Sequence, residues 1–283
     1  MMGEHIIEAI GKSRVVIRDG KVVEVHESLV QECPLAKRFA LPVDKITPES
    51  VRKNIEHRIS SFGMCTPDRQ ILSEDTFVGF GATEMLGNAL SEGIIDAAVI
   101  AGDGIGTVVV TEPAMVQGIG GRMSGLVSTS PIPEVIERVR ERGGIIPDPV
   151  HATLDPLAGI RTAHEAGLHR LAVTVAGVDA AEKVRKADPD AIIVVVHTTG
   201  TTTGEAERLI RVADLITGCS SKVIRDVCGP KALLQAGSSI PVFAMTFRGK
   251  EIVIKRMRVI SHPLYVAHAS LPVYGEKDPY PLI

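Results

Sequence analysis

Four cysteines sit at places where the backbone must bend: Cys33-Pro34, Gly63-Met64-Cys65-Thr66-Pro67, Gly218-Cys219-Ser220 and Cys228-Gly229-Pro230. Proline and glycine beside a thiol leave backbone N–H groups free to stabilise a thiolate, a metal ion or an iron–sulfur cluster. A structural cysteine more often lies inside an apolar run, where it behaves as a small hydrophobe. No pair has C-x-x-C spacing, and the nearest two, Cys219 and Cys228, are separated by eight residues. Two readings stand side by side: a metal or cluster site shared by at least three thiols, or four thiols packed independently. In the first, Cys33, Cys65 and Cys219 are the ligands and one coordination position stays open, as in reactive sites. Cys228 fits less well as a fourth, because a helix over 221–227 carries it roughly 13 Å from Cys219 at about 1.5 Å per residue.

Proton carriers and anion holders come from a second pattern. Open parallel sheets bind ligands beyond the carboxyl ends of their strands, and the polar residues that follow the expected strands are Asp103, Asp179, His197, Cys219 and Thr246. Asp103 and His197 are the catalytic candidates, and together with Cys219 they are expected on one pocket. Asp179, just before Ala180-Ala181-Glu182, reads more readily as a helix cap. His197 follows Val194-Val195-Val196 and is a ligand, a general base or a histidine bonded to backbone. For anions, Thr199, Gly200, Thr201, Thr202 and Thr203 form a loop that opens a helix, with Thr202 and Glu205 spaced as a capping box. The alternative is an ordinary threonine-rich cap. Arg122 stands among four glycines in Gln117-Gly118-Ile119-Gly120-Gly121-Arg122-Met123-Ser124-Gly125, the composition of a loop that closes over an anion or of a plain surface loop. Gly102-Asp103-Gly104-Ile105-Gly106 is followed by the β-like run Thr107-Val108-Val109-Val110 rather than a helix, which excludes a dinucleotide fingerprint.

The elements that must position these residues follow from periodicity. Two apolar runs flank Asp19-Gly20, a two-residue hairpin signal. Thr47-Pro48 caps and opens a helix to about Ser60, and another helix covers 82–92. From Ile95 onward short apolar runs alternate with amphipathic stretches, the pattern of a parallel sheet covered on both faces. Strands are expected at 97–101, 171–176, 191–196, 215–217 and 240–245, with helices at 134–142, 157–166, 180–186, 205–213 and 221–227. A last strand is expected at 251–259, antiparallel to 240–245. The fold class is therefore α/β, a mostly parallel sheet flanked by helices, with an N-terminal hairpin-plus-helix lobe. The division is 1–94 lobe, 95–260 core and 261–283 extended tail, or all three as one compact domain. The tail holds all three tyrosines, Tyr265, Tyr274 and Tyr280, and either wraps its own domain or docks on a second copy.

Composition narrows the partners. With 283 residues, 45% of them hydrophobic, the chain can bury a full core. A net charge of −3 leaves no electrostatic footprint for nucleic acid. No basic leader followed by an apolar run and no stretch of eighteen apolar residues is present, so a soluble cytoplasmic protein without membrane contact is expected. The P-loop, H-E-x-x-H and G-x-S-x-G motifs are also missing.

Several segments resemble one family. The hairpin around Asp19-Gly20, Glu32-Cys33-Pro34, Phe62-Gly63-Met64-Cys65-Thr66-Pro67-Asp68-Arg69, Val116-Gln117-Gly118-Ile119-Gly120-Gly121-Arg122 and Gly229-Pro230-Lys231-Ala232-Leu233-Leu234-Gln235 are similar to methanogenesis marker protein 8, an archaeal family of unassigned biochemical function. The resemblance runs over nearly the whole chain, with Gly-Met-Cys-Thr-Pro-Asp-Arg its most specific element. It implies a strongly reducing cytoplasm, which suits iron–sulfur chemistry, and a link to methanogenic coenzyme metabolism or to maturation of its enzymes. It supplies no reaction and no catalytic residue.

Three functions are compatible with these features. One is an iron–sulfur or metal-binding accessory protein that partners a methanogenic enzyme or its maturation factors. Another is an enzyme acting on a small anionic metabolite at the carboxyl edge of the sheet, and the third is a non-catalytic assembly protein that forms oligomers through its tail.

Overall fold

In the computed structural model the described residues are 3–123 and 125–283, which leaves Met1, Met2 and Ser124 of the glycine-rich stretch outside them. The chain runs β1 (Glu4–Glu8), β2 (Arg14–Arg18), β3 (Lys21–Val25), α1 (Pro48–Phe62), α2 (Ala82–Ser91), β4 (Ala97–Gly102), β5 (Gly106–Val110), α3 (Pro113–Gly120) and β6 (Gly125–Thr129). It continues through α4 (Pro133–Glu141), α5 (Pro156–Glu165), β7 (Leu171–Ala176), α6 (Val178–Ala187), β8 (Ile192–Val196), α7 (Thr203–Val212) and β9 (Leu215–Thr217). It ends with β10 (Leu234–Ala236), β11 (Val242–Ala244) and α8 (Phe247–Met257).

The lobe is a four-stranded antiparallel sheet in the order β3-β2-β1-β6. Asp19 and Gly20 both take positive φ, 48° and 71°, as a turn matched to the twist of a hairpin requires. α1 starts with a reciprocal capping box between Thr47 and Ser50 and stops at left-handed Gly63. Its buried residues Val51, Asn54 and Ile55 share one face. The lobe is not closed by its own sequence, because its edge strand β6 comes from beyond the first strand pair of the core.

The larger sheet has the order β10-β11-β9-β8-β7-β4-β5. Strands β4, β7, β8 and β9 are parallel neighbours, as the apolar runs at 171–176 and 191–196 predict, whereas β5, β11 and β10 add antiparallel edges. Alternation along β8 divides the core. Ile192 and Val194 join a layer with Met85, Leu86, Val116, Val135 and Ile252, contributed by α2, α3, α4 and α8. Ile193 and Val195 face Ile160, Val184 and Leu209 of α5, α6 and α7. The fold class is α/β, with helices on both faces of a sheet that is parallel at its centre.

Three expectations about elements are corrected. Residues 251–259 form no strand, because they fall within and after α8, whose Ile252 and Val253 are buried against the sheet. Thr246 caps this helix by accepting from the Gly249 N–H at 3.1 Å, so packing and a cap override the β-branched composition of Ile252-Val253-Ile254. The stretch from Gln117 is helical as far as Gly120, and a Cβ at Gly118 would stand 2.2 Å from the Ile71 carbonyl; that glycine serves close packing. Asp179 does not cap α6. Gly177 holds the cap position, and Asp179 instead accepts from Arg208 at 2.8 Å.

The tail wraps its own chain. Tyr280 pairs with Glu32 in both directions, Ile283 donates to the Ser220 carbonyl at 2.9 Å, and the Tyr274 hydroxyl donates to Asp226. Tyr265 projects into solvent. No helix among the described residues is long and apolar enough to cross a membrane.

Candidate functional site

A cavity of about 1090 Å³ opens at the carboxyl edge of the parallel strands, where the lobe closes over them. Ala101, Ala176, Val196 and Thr217 are its floor, one from each of β4, β7, β8 and β9 or its end. Its size lies at the upper end of the range for small-molecule sites.

His197 and Cys219 both line this floor. They leave neighbouring parallel strands, about one strand spacing (~5 Å) apart. Each has left-handed backbone, φ 59° for His197 and 42° for Cys219, and the same is true of Lys12 on the opposite wall, φ 64°. A non-glycine residue held there costs about 1–3 kcal/mol, so three such residues on one cavity mark it out from the rest of the surface. Burial first, and the charge of Lys12 second, bring His197 down to about 4. It is therefore neutral at pH 7 and available as a proton acceptor. The Cys219 sulfur lies 3.4 Å from the Thr217 hydroxyl, and its carbonyl accepts from Arg225 at 2.9 Å.

Cys33 reaches the same cavity from the lobe. The turn after Pro34 aims the N–H groups of Leu35 and Ala36 at its sulfur, but burial outweighs them and raises the thiol. The other two thiols lie elsewhere. Cys65 is sealed in the lobe core, pushed well up by burial and then by the charge of Asp103. Cys228 packs among the helices of the larger sheet, where burial pushes it up to about 12. Among the described residues no group of three or more His, Cys, Asp or Glu stands where it could hold a metal ion. Two thiols and one imidazole fall short of the thiolate set that holds an iron–sulfur cluster.

Asp103, expected beside His197, is turned away from the cavity. Its carboxylate is buried, accepts the Cys65 N–H at 2.6 Å and is gripped by the Arg69 Nε at 3.0 and 3.1 Å. Arg69 spends its remaining donors on the carbonyls of Gln70, Gly118 and Ile119. The Gly-Met-Cys-Thr-Pro-Asp-Arg segment is thus a structural knot joining the lobe to the turn after β4. Of the threonine loop, only Thr199 lines the cavity, and its carbonyl accepts from Lys12 at 2.9 Å. Gly200 is exposed, and Thr201 bonds back to Thr198. Thr202 is committed to the capping box with Glu205, and Thr203 begins α7.

Cations line the lobe side: Lys12, Arg38, Arg58 and Arg122. Burial brings Arg58 down to about 10, still protonated at neutral pH, and its guanidinium stacks on Phe39 at 4.8 Å. Arg122 stacks on Phe62 at 5.1 Å and is braced by Gln70, Ser73 and Asp75. The acids on the wall are engaged: Glu84 accepts from the N–H groups of Phe77 and Val78, Asp75 faces Arg122, and Glu8 faces Lys12 at 4.0 Å. Sequence reasoning found Arg122 but missed Lys12, Arg38 and Arg58. A signal for Arg58 was present, since Asn54, His57, Arg58 and Ser61 are polar residues of α1 at helical spacing, and all four line the cavity together with Phe62.

The model of a family described as an uncharacterized protein conserved in archaea (DUF2099) matches residues 5–258. The chain belongs to this family. Over 285 aligned residues, covering the whole of both chains, it is 38% identical to an uncharacterized protein of Methanocaldococcus jannaschii. No solved structure matches. Family membership covers both walls of the cavity up to α8, including Lys12, Cys33, Arg58, Arg122, His197 and Cys219.

Proposed function

We propose that this chain is a cytoplasmic enzyme acting on a small anionic metabolite of coenzyme size, bound between the lobe and the carboxyl edge of the sheet. The observation that carries this reading is the opposition of two walls in one cavity. His197 and Cys219, each in left-handed backbone, stand on the floor, and Arg58, Arg122 and Lys12 stand on the lobe. The arginines hold the anion, Phe39 and Phe62 supply apolar contact, and the chemistry falls to the neutral His197 as base and Cys219 as nucleophile. The resemblance to methanogenesis marker protein 8 supports placing the metabolite in methanogenic coenzyme metabolism. A cluster-binding maturation role through Cys33, Cys65 and Cys219 has weaker support, since Cys65 is buried in the lobe core and does not line the cavity.

The test is calorimetric titration of the anaerobic protein with a panel of carboxylated, phosphorylated and sulfonated metabolites. At least one class binds, and Arg58→Ala weakens it by about tenfold or more, the loss of a charged hydrogen bond of about 1.5–3 kcal/mol. A panel without any binder, or equal affinity in the variant, contradicts the reading.

A further inference from the structure

We propose that Cys33 and Cys219 are a redox-active dithiol that exchanges with a small-molecule disulfide admitted to the cavity. This rests on the cavity as the functional site, but not on the charge of what binds there. Of the four thiols, Cys33 and Cys219 line the cavity, Cys33 from the rim of the lobe core in which Cys65 is fully buried, whereas Cys65 and Cys228 do not reach it.

Their loops come from opposite ends of the sequence and are stitched together by the end of the tail. Glu32, next to Cys33, exchanges hydrogen bonds with Tyr280, and Ser220, next to Cys219, accepts from Ile283, with the Lys222 N–H returning to the Ile283 carbonyl. The three residue steps from Tyr280 to Ile283 span at most about 11 Å, which limits how far the loops can part. The two sulfurs are close enough that a charge on Cys219 disfavours one on Cys33.

A cation stands behind the pair. Arg225 is buried, bonds the carbonyls of Gly218, Cys219, Ser221 and Ser239, and has its carboxylate partner, Asp278, only at 4.0 Å. Its field offsets part of the burial that raises the Cys33 thiol.

Unequal exposure assigns the order of events. Cys219 is half-buried on the cavity floor, and Cys33 is 7% exposed with a raised thiol. Cys219 gives up its proton and attacks one sulfur of R–S–S–R. The R–S–S–R bond breaks, a Cys219–S–S–R bond forms, and R–S⁻ leaves and takes that proton. Cys33, deprotonated in turn, attacks the Cys219 sulfur, releases the second R–S⁻ with its proton, and closes the Cys33–Cys219 disulfide. The protein is oxidised by two electrons and the substrate is reduced to two thiols.

The test treats the reduced, chelator-washed full chain with hydroxyethyl disulfide, a neutral probe that makes no demand on the arginines, and maps the products by mass spectrometry. Wild type loses two hydrogens and yields a Cys33–Cys219 cross-linked peptide. Cys33→Ser stops at the mixed disulfide on Cys219, and Cys219→Ser reacts at least about tenfold more slowly. Should either variant fold poorly, phenylarsine oxide, which bridges paired thiols, is titrated into wild type, with one equivalent bound expected. A stable mixed disulfide in wild type, a cross-link using Cys65 or Cys228, or no arsenical binding overturns the proposal. None of these outcomes bears on the titration with anionic metabolites.

Discussion

Asp103 shows how a residue type can be right for chemistry and still be absorbed by structure. It follows a strand of the central sheet, where a proton carrier would stand, but Arg69 is buried at the same point and needs a counter-charge. In Asp103→Asn the Cys65 N–H keeps an acceptor while Arg69 is left an uncompensated buried cation, which costs about 3–5 kcal/mol. Urea denaturation should report that loss, and the affinity for a cavity ligand should be unchanged once the variant is folded. His197 has the opposite fate. Its value in the folded state, about 4, lies below the 6.5 of an unperturbed histidine, so protonation favours the unfolded chain. Its contribution is fully present above pH 6.5 and is lost as pH falls from about 6.5 towards 4, a total of about 3 kcal/mol at 1.36 kcal/mol per unit. The difference in unfolding free energy between wild type and His197→Asn should narrow by that amount across this window. A difference independent of pH would mean that His197 is solvated. From the sequence, strand ends picked out both residues, but only the partner supplied by Arg69 separates them, and that contact spans 34 residues.

At the scale of elements, what was legible was what is locally encoded. The Asp19-Gly20 turn, the Thr47-Pro48 cap, the Thr202–Glu205 capping box and the continuous apolar strands β4, β7, β8 and β9 each carry their signal within a few residues. α8 was not legible, because Ile252-Val253-Ile254 has the composition of a strand and its helical state depends on a sheet face assembled from distant segments. Gly249 records that dependence: a Cβ there would meet the Asp214 carbonyl at 2.2 Å. Gly249→Ala should therefore destabilise by about 1–3 kcal/mol by overpacking, although helix propensity alone predicts a gain of about 1 kcal/mol. Thermal unfolding decides the sign. The first part of the glycine stretch, residues 117–120, was misread for a related reason, since glycine composition alone does not distinguish a loop from a helix pressed against another backbone.

At the scale of the whole molecule, the cavity exists because lobe and core are interleaved. β6 returns to the lobe from beyond β4 and β5, and the tail ties the Cys33 loop to the Cys219 loop. The shared-thiol reading of the sequence brought the Cys33 turn of the lobe to the strand end at Cys219, and both line the cavity, but it also brought in Cys65, which does not, because all three occupy similar turns. The central claim is that this meeting makes an anion-receiving cavity with a reactive thiol on its floor. Competitive alkylation of the reduced protein with equal concentrations of iodoacetate and iodoacetamide, read out per cysteine, tests it most directly. The account predicts that Cys219 is modified first, with the anionic reagent favoured over the neutral one, and that Arg58→Ala abolishes the preference. Modification spread evenly over the four cysteines, or faster reaction of Cys219 with iodoacetamide, would contradict it.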